Sequence, residues 1–216
     1  MTDVLKIKPN QVSFKALGLA AEVLLAGGII AGPTQSFYAL MALADKPMAL
    51  ERLWALKSGR DQSQAFLLLL DRPERVVSYA SEIKPAAKLL MESFWPGLLT
   101  LLFTAHNGLH PSLLGGKTKT VALRMEGLEL VRKLIRLVDR AVTGTSANPH
   151  GQWPSSTAEE TLAYFGGLID LIIDFGPTGG RDYSTIIDTS GDQPLIVRDG
   201  AVSIEDLRLV CPEILV

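Results

Sequence analysis

Stretches with apolar residues at helical spacing recur along the chain. In the segment 11–25 they return every three or four positions, and the Gly27-Gly28 pair follows as a stop signal. A later stretch opens with Ser156 and Glu159, which resembles a capping box. This periodicity predicts helices at 11–25, 47–57, 85–94, 128–138, 157–165 and 203–210.

Short apolar runs of strand length lie between these stretches. They predict strands at 4–7, 28–31, 65–70, 98–103, 120–124, 141–144, 168–173, 185–188 and 195–197. Alternating strands and helices are typical of an α/β layered fold. We therefore expect one domain over residues 11–207, with a twisted mixed sheet of about seven strands flanked by helices. Short extensions at both ends would pack on it.

Composition fits a globular enzyme better than a general nucleic-acid binder. The 216 residues include 21 basic and 23 acidic side chains, a net charge of −2. Strong nucleic-acid binding usually needs a basic excess. The most apolar stretch, 16–32, carries Glu22 and is shorter than the about 20 residues that a bilayer requires. The first nine residues lack the apolar core of a signal peptide. We expect a soluble, cytoplasmic protein.

Two polar segments directly follow predicted buried strands. Segment 32–38 has the sequence GPTQSFY, and segment 143–148 has the sequence TGTSAN. Ligands often bind where the strands of an α/β sheet end, and hydroxyl and amide side chains suit a nucleotide or a carboxylate. The alternatives are an ordinary turn between strands for the first segment and a satisfied polar turn for the second.

Cations form a second group of candidates. Lys57 and Arg60 enclose Ser58-Gly59 where a predicted helix ends, so both could converge on phosphate, or they could be solvated charges that complement the helix dipole. Arg124 and Arg198 each end a predicted strand. They could bind phosphate or only mark where the strand meets solvent. Hydroxyls of the Ser184-Thr185 pair could join them or merely begin a strand.

Other chemical signals are weak. The histidines at 106, 110 and 150 do not have zinc-site spacing, so no metal centre is predicted. Neither a Walker phosphate loop nor a dinucleotide-binding glycine pattern occurs in the sequence. The single cysteine, Cys211, precedes Pro212 and is interpreted as packing.

Taken in order, five short segments resemble the YrdC-type threonylcarbamoyl-AMP synthase family across residues 16–207. They are GGIIAGPT at 27–34, FWPGLLTL at 94–101, VALR at 121–124, TSAN at 145–148 and STIID at 184–188. Each segment is weak alone, but five in the right order and spacing are specific. The resemblance implies a twisted sheet with a concave, basic cleft.

It also implies a reaction in which threonine, bicarbonate and ATP give threonylcarbamoyl-AMP and pyrophosphate, for the threonylcarbamoyladenosine modification of transfer RNA. A magnesium ion would accompany ATP. By the match, cations would hold phosphates or carboxylates, hydroxyl and amide residues would bind the nucleotide, and two residues would contact threonine. The cations are Lys57, Arg60, Arg124 and Arg198. The nucleotide-binding residues are Thr34, Thr145, Ser146, Asn148 and Ser184, and the residues that contact threonine are Thr34 and Tyr38.

Several positions depart from the family pattern. The family has Lys-x-Arg where this chain has one residue more, and we expect the helix to end at Lys57 with Arg60 still reaching the cleft. Gln35 replaces a usual Glu, Ala39 a usual Gly, and Glu126 and Asp199 each a usual Pro. The two new acids would place negative charge near Arg124 and Arg198.

These departures are expected of a divergent paralogue of the YciO type. Such a protein could act on another adenylate, or could bind double-stranded RNA or transfer RNA without catalysis.

Overall fold

The protein is described by a computed structural model that covers residues 1–9, 12–57, 59, 65–115, 119–179 and 182–216. Within these residues it has six α-helices and two 3₁₀ helices, Pro73–Ser78 and Pro111–Leu113. The α-helices are α1 (Phe14–Leu25), α2 (Pro47–Leu56), α3 (Pro85–Phe94), α4 (Glu129–Val138), α5 (Ala158–Phe165) and α6 (Ile204–Val210).

The strands divide between two mixed sheets, where the sequence predicted about seven in one. The first sheet contains β1 (Asp3–Lys6), β2 (Ile30–Pro33), β3 (Tyr38–Met41), β8 (Thr145–Ser146) and β9 (Leu171–Asp174), in the order β1-β9-β2-β3-β8. The second contains β4 (Leu68–Leu70), β5 (Leu99–Thr104), β6 (Thr120–Met125), β7 (Val142–Thr143), β10 (Thr185–Asp188) and β11 (Leu195–Arg198), in the order β11-β10-β5-β6-β4-β7. The predicted α/β class with flanking helices is confirmed.

The sheets meet where the chain after β3 passes beside β7. Leu43 forms an antiparallel bridge with Val142, and Thr143 N–H donates to Ala42 O at 2.8 Å. The Thr143 hydroxyl also accepts a hydrogen bond from Ala42 N–H at 2.9 Å. These contacts fix the position of the first sheet relative to the second.

Side-chain alternation divides the buried residues between two clusters. Leu68 and Leu70 belong to one cluster with residues of α2 and α3, whereas Leu69 belongs to another with residues of α1 and α4. Ala31 and Ile30 divide in the same way. All five are fully buried. Successive residues of a strand point to opposite faces, so a strand covered on both faces has a continuous apolar sequence.

Helix boundaries agree closely with the sequence, because their start and stop signals are local. Helix α3 has the predicted bounds, and α2 ends at Leu56 with Lys57 as its C-cap. The cap of α5 differs from the prediction: Thr157 accepts from Glu160 N–H, and the Glu160 carboxylate accepts from Ser156. Arg60, predicted to reach the cleft, lies outside the described residues.

Both ends of the described chain are attached to the sheets. Strand β1 pairs in parallel with β9, and Leu215 forms a bridge with Leu195 beside the second sheet. The boundaries 11–207 of the domain stay a prediction. Among the helices that the structure describes, none is both long and apolar enough to cross a membrane.

Candidate functional site

A cleft opens between the two sheets, and most of the residues predicted to bind ligand lie along it. Seven of the ten are in its lining. The lining residues are Thr34, Ser36, Phe37, Tyr38, Ala39, Ala65, Leu67, Thr100, Ala122, Arg124, Gly144, Thr145, Ser146, Tyr183, Ser184, Ile186 and Arg198.

The first wall of the cleft begins with the turn between β2 and β3. The Thr34 hydroxyl donates to Phe37 O at 2.7 Å and accepts from Ser36 N–H at 3.2 Å. Thr34 N–H also donates to Phe37 O. A side-chain hydroxyl that bonds within its own turn can take the place of a backbone group as hydrogen-bond partner. The turn is therefore held by the Thr34 side chain. The Ser36 hydroxyl lies 3.1 Å from the Thr34 hydroxyl.

Lys57 joins the end of α2 to the other half of this wall. Its ammonium group donates to Ser146 O at 2.9 Å, to Asn148 O at 2.6 Å and to Asn148 Oδ1 at 3.1 Å. The Ser146 hydroxyl donates to the same Oδ1 at 2.6 Å. Lys57 is buried. Lys57 and Asn148 thus reach the cleft through Ser146, although neither is among its lining residues.

Gly144 allows the chain to pass from the second sheet to the first. It lies between β7 and β8, and its N–H donates to Leu67 O at 2.7 Å. A Cβ atom at this position would stand 2.7 Å from Leu69 Cγ. Because such a contact is too close for any side chain, glycine is what lets Thr145 and Ser146 reach the cleft beside β3.

Tyr38 contributes to the wall in a way that the sequence did not indicate. Its hydroxyl donates to Gly176 O at 2.8 Å and accepts from Phe175 N–H at 3.3 Å. Burial raises the pKa of the Tyr38 phenol, so the group remains a neutral donor at neutral pH. The Tyr38 hydroxyl therefore anchors the segment that follows β9.

The second wall carries hydroxyls and guanidinium groups at the ends of its strands. Thr100 and Ser184 share a hydrogen bond of 2.8 Å between their hydroxyls. Arg198 donates to Ser184 O at 2.7 Å and to the Ser184 hydroxyl at 3.1 Å. Its guanidinium lies 5.4 Å from the centroid of the Tyr183 ring, which is in turn 5.1 Å from the Phe37 ring. The aromatic pair links the two walls.

Arg124 lies in the same wall, and its charge is paired. Its Nη2 donates to the carboxylate of Glu126, whose side chain is completely buried. The expected negative charge near Arg124 is therefore present as a direct ion pair. Among the described residues Arg198 has no carboxylate partner, so Asp199 does not repeat this arrangement. Partial desolvation and the nearby charge of Arg124 lower the pKa of Arg198.

Sequence reasoning overlooked Thr100 and Tyr183 as cleft residues, and it included Phe37 only as part of segment 32–38. Thr100 lies inside one of the five resembling segments, and Tyr183 immediately precedes another, so each could have been considered on its position. Phe37 gave no signal beyond its place in the turn. Arg60, predicted to act with Lys57, lies outside the described residues.

The assembled cleft suits a ligand with several negative charges. Guanidinium groups on strands and hydroxyls on turns can hold phosphate or carboxylate oxygens in fixed positions. No cysteine or histidine is among the lining residues, and the described part of the chain has no cluster of three His, Cys, Asp or Glu that could hold a metal ion. The arrangement suits electrostatic stabilisation of a negatively charged ligand.

Comparison with known proteins agrees with this geometry. Residues 22–200 match the family model Sua5/YciO/YrdC, described as telomere recombination. A threonylcarbamoyl-AMP synthase of Pyrococcus abyssi is 32% identical over 214 residues, 99% of this chain and 62% of that protein. One of Thiobacillus denitrificans is 36% identical over 162 residues, 75% of this chain and 85% of that protein.

Two solved structures share the fold. The crystal structure of P. abyssi Sua5 complexed with L-threonine superimposes with a TM-score of 0.92 at 31% identity, over 99% of this chain and 62% of that one. The crystal structure of E. coli YciO does so with a TM-score of 0.86 at 25% identity, over 96% and 100%. The chain thus spans less than two thirds of the Pyrococcus protein but all of YciO. With its cleft formed by the expected segments, the chain belongs to the Sua5/YciO/YrdC family.

Proposed function

We propose that this protein is an L-threonylcarbamoyladenylate synthase. It would convert threonine, bicarbonate and ATP to threonylcarbamoyl-AMP, pyrophosphate and water. The observation that carries the proposal is the convergence of strand-end arginines and turn hydroxyls on one cleft between the sheets. Relatives with this named activity, and a solved relative that binds L-threonine, support it.

The chemistry needs fixed positive charge more than a protein nucleophile. The carbamate formed from threonine and bicarbonate attacks the α-phosphorus of ATP, the bond to the β-phosphate oxygen breaks, and pyrophosphate leaves. Negative charge on the phosphate chain grows in this step, and preorganised donors stabilise it. Arg198 and Arg124 would face these phosphates, together with the Ser184 hydroxyl.

The first wall would hold the rest of the substrates. ATP would lie between the Thr34 turn and the Ser146–Asn148 segment, with Thr145 and Ser146 as donors. Thr34 would also contact threonine, and Tyr38 would shape that pocket by holding residues 175–176. Lys57 would keep the Ser146–Asn148 segment in place, and Arg60 would complete the cationic set.

Magnesium would enter as part of the ATP substrate, because Mg²⁺ in such complexes is bound through substrate phosphate oxygens and retains several water molecules. The product would serve transfer-RNA modification, and we propose that the reaction takes place in the cytoplasm. The net charge of −2 lends no support to a separate role in binding RNA.

Pyrophosphate release with ATP, magnesium and bicarbonate tests this proposal. Release should depend on threonine and should be weak with serine, glycine or no amino acid. Lys57→Met should lower the rate by tenfold or more, because charge-assisted hydrogen bonds contribute about 1.5–3 kcal/mol each. Lys88→Met, on the exposed face of α3, is the matched control and should leave it unchanged. Equal release with every amino acid would refute the assignment.

A further inference from the structure

Glu126 is a completely buried carboxylate at the end of β6, beside the cleft and not exposed to it. Every hydrogen bond that the structure describes for its side chain is an accepted one. Oε2 accepts from Arg124, and Oε1 accepts from Gln35 N–H at 2.8 Å and from Leu128 N–H at 3.2 Å. The carboxylate therefore binds the second sheet, the turn of the first sheet and the start of α4 at once.

The hydrogen bond from Gln35 is the one that joins the two walls of the cleft. Gln35 follows Thr34 in the turn between β2 and β3, and its side chain lies against Gly127. A Cβ atom at position 127 would overlap only the Gln35 amide, which is the far end of an exposed and flexible side chain. The hydrogen bond to Glu126 is therefore what seats the first wall's turn on the end of the second wall's strand.

Arg124 is held at one end only. Its Nη2 is engaged by Glu126, while its Nε is buried and has no hydrogen-bond partner in the described protein. A guanidinium is planar and rigid with five donors, so a contact at one end, together with the attachment of the side chain at the other, restricts the directions in which the remaining donors point. A buried donor without a partner is costly, and this one belongs to a side chain that lines the cleft.

Stability alone is a poor reason for such a pair. Burying two charges costs about as much desolvation free energy as their attraction returns, and apolar replacements are often neutral or stabilising. A buried ion pair that faces a ligand cleft and also holds the opposite wall has another use. It orients one cation and removes that cation's net charge from the site.

We propose that Glu126 is a positioning residue. It fixes the plane of the Arg124 guanidinium and holds the Thr34 turn in a set position relative to it, so that both can bind one anionic ligand. Because the pair is neutral overall, Arg198 supplies the unbalanced charge of the second wall, and Arg124 supplies directed donors. The inference rests on the proposed function in one respect, that the ligand carries a phosphate chain.

A double-mutant cycle with Glu126→Gln and Arg124→Gln tests this inference by calorimetry with ATP and magnesium. Glu126→Gln should weaken ATP binding about tenfold in the wild-type background, but less than twofold when Arg124 is already Gln. Equal losses in both backgrounds would mean that Glu126 only supports the turn, and this would overturn the inference. Tighter binding by Glu126→Gln would overturn it too, because the carboxylate would then only mask charge.

Glu126→Asp keeps the charge but shortens the side chain, and it replaces Glu126→Gln in the cycle if that variant does not fold. It should also lose affinity only when Arg124 is present, and unchanged affinity would contradict positioning. Wild-type protein that binds ATP without threonine-dependent pyrophosphate release would refute the proposed function. The double-mutant cycle would still test the positioning role of Glu126 in that case. Failure of the wild type to bind ATP or pyrophosphate would overturn both.

Discussion

The two walls of the cleft present similar polar groups but hold them by different means. The first wall is a set of turns, in which hydroxyls and the Lys57 ammonium bond to backbone oxygens of the same wall. The second wall is a sheet edge whose two arginines differ: Arg124 is paired with a buried acid, and Arg198 rests on a carbonyl and an aromatic ring. Residue type alone therefore does not decide how much charge a wall offers to a ligand.

The largest effect should come from breaking the ion pair of the second wall. Arg124→Ala leaves Glu126 buried without its cation, and removing one member of a buried pair costs about 3–5 kcal/mol of unfolding free energy. The double variant Arg124→Ala/Glu126→Gln should recover a substantial part of that loss. Urea denaturation measures both, and a single variant as stable as the wild type would show that the pair is not structurally coupled.

Arg198 tests the other half of the comparison. Arg198→Gln should weaken ATP binding by tenfold or more, since it removes a charge-assisted hydrogen bond of about 1.5–3 kcal/mol. The loss should shrink as salt rises, because unpaired exposed charge is screened. Titrations at low and high salt measure this. Arg208→Gln, on the exposed side of α6, is the control, and an equal loss there would argue against a local role.

Gly144 connects the walls, and its replacement should disturb both. Gly144→Ala places a methyl group 2.7 Å from Leu69 Cγ, and overpacking of this kind costs about 1–3 kcal/mol. Thermal unfolding and ATP affinity should fall together, because Thr145 and Ser146 follow directly. Gly18→Ala, within α1 and without atoms nearby, should instead stabilise by about 0.5–1 kcal/mol. If Gly144→Ala has normal stability, the Leu69 side chain must move aside at little cost in free energy.

The smallest expected effect concerns the aromatic contact between the walls. Tyr183→Leu removes the ring beneath Arg198, and an exposed cation–π contact contributes about 0.5–1 kcal/mol. ATP affinity should fall two- to fivefold. Tyr183→Phe keeps the ring and should bind as the wild type does. If both variants lose affinity equally, the Tyr183 hydroxyl and not its ring supports the site.

Most elements were predictable because their signals are local. Prolines at 47 and 85 begin helices, and the apolar run at 185–188 is a strand with the predicted bounds. Strand β3, Tyr38–Met41, was not predicted, because the apolar run continues to Ala44 without a turn signal and such a run alone does not distinguish a strand from a buried helix segment. The division into two sheets depends on long-range pairings such as Ala31 with Ile172 in the first sheet and Thr100 with Ile186 in the second, which a local pattern does not encode.

The sequence by itself determined which polar residues stand at the ends of strands, because strand length and hydroxyl-rich turns are written in consecutive positions. Only the tertiary structure decided which of them face a ligand and which bind each other. Glu126 contacts the Gln35 backbone across 91 positions of chain, and Lys57 reaches Asn148 across the same separation. Hydrogen bonds form only within a few tenths of an ångström of their optimal length, and that precision comes from sheet register and packing rather than from local sequence.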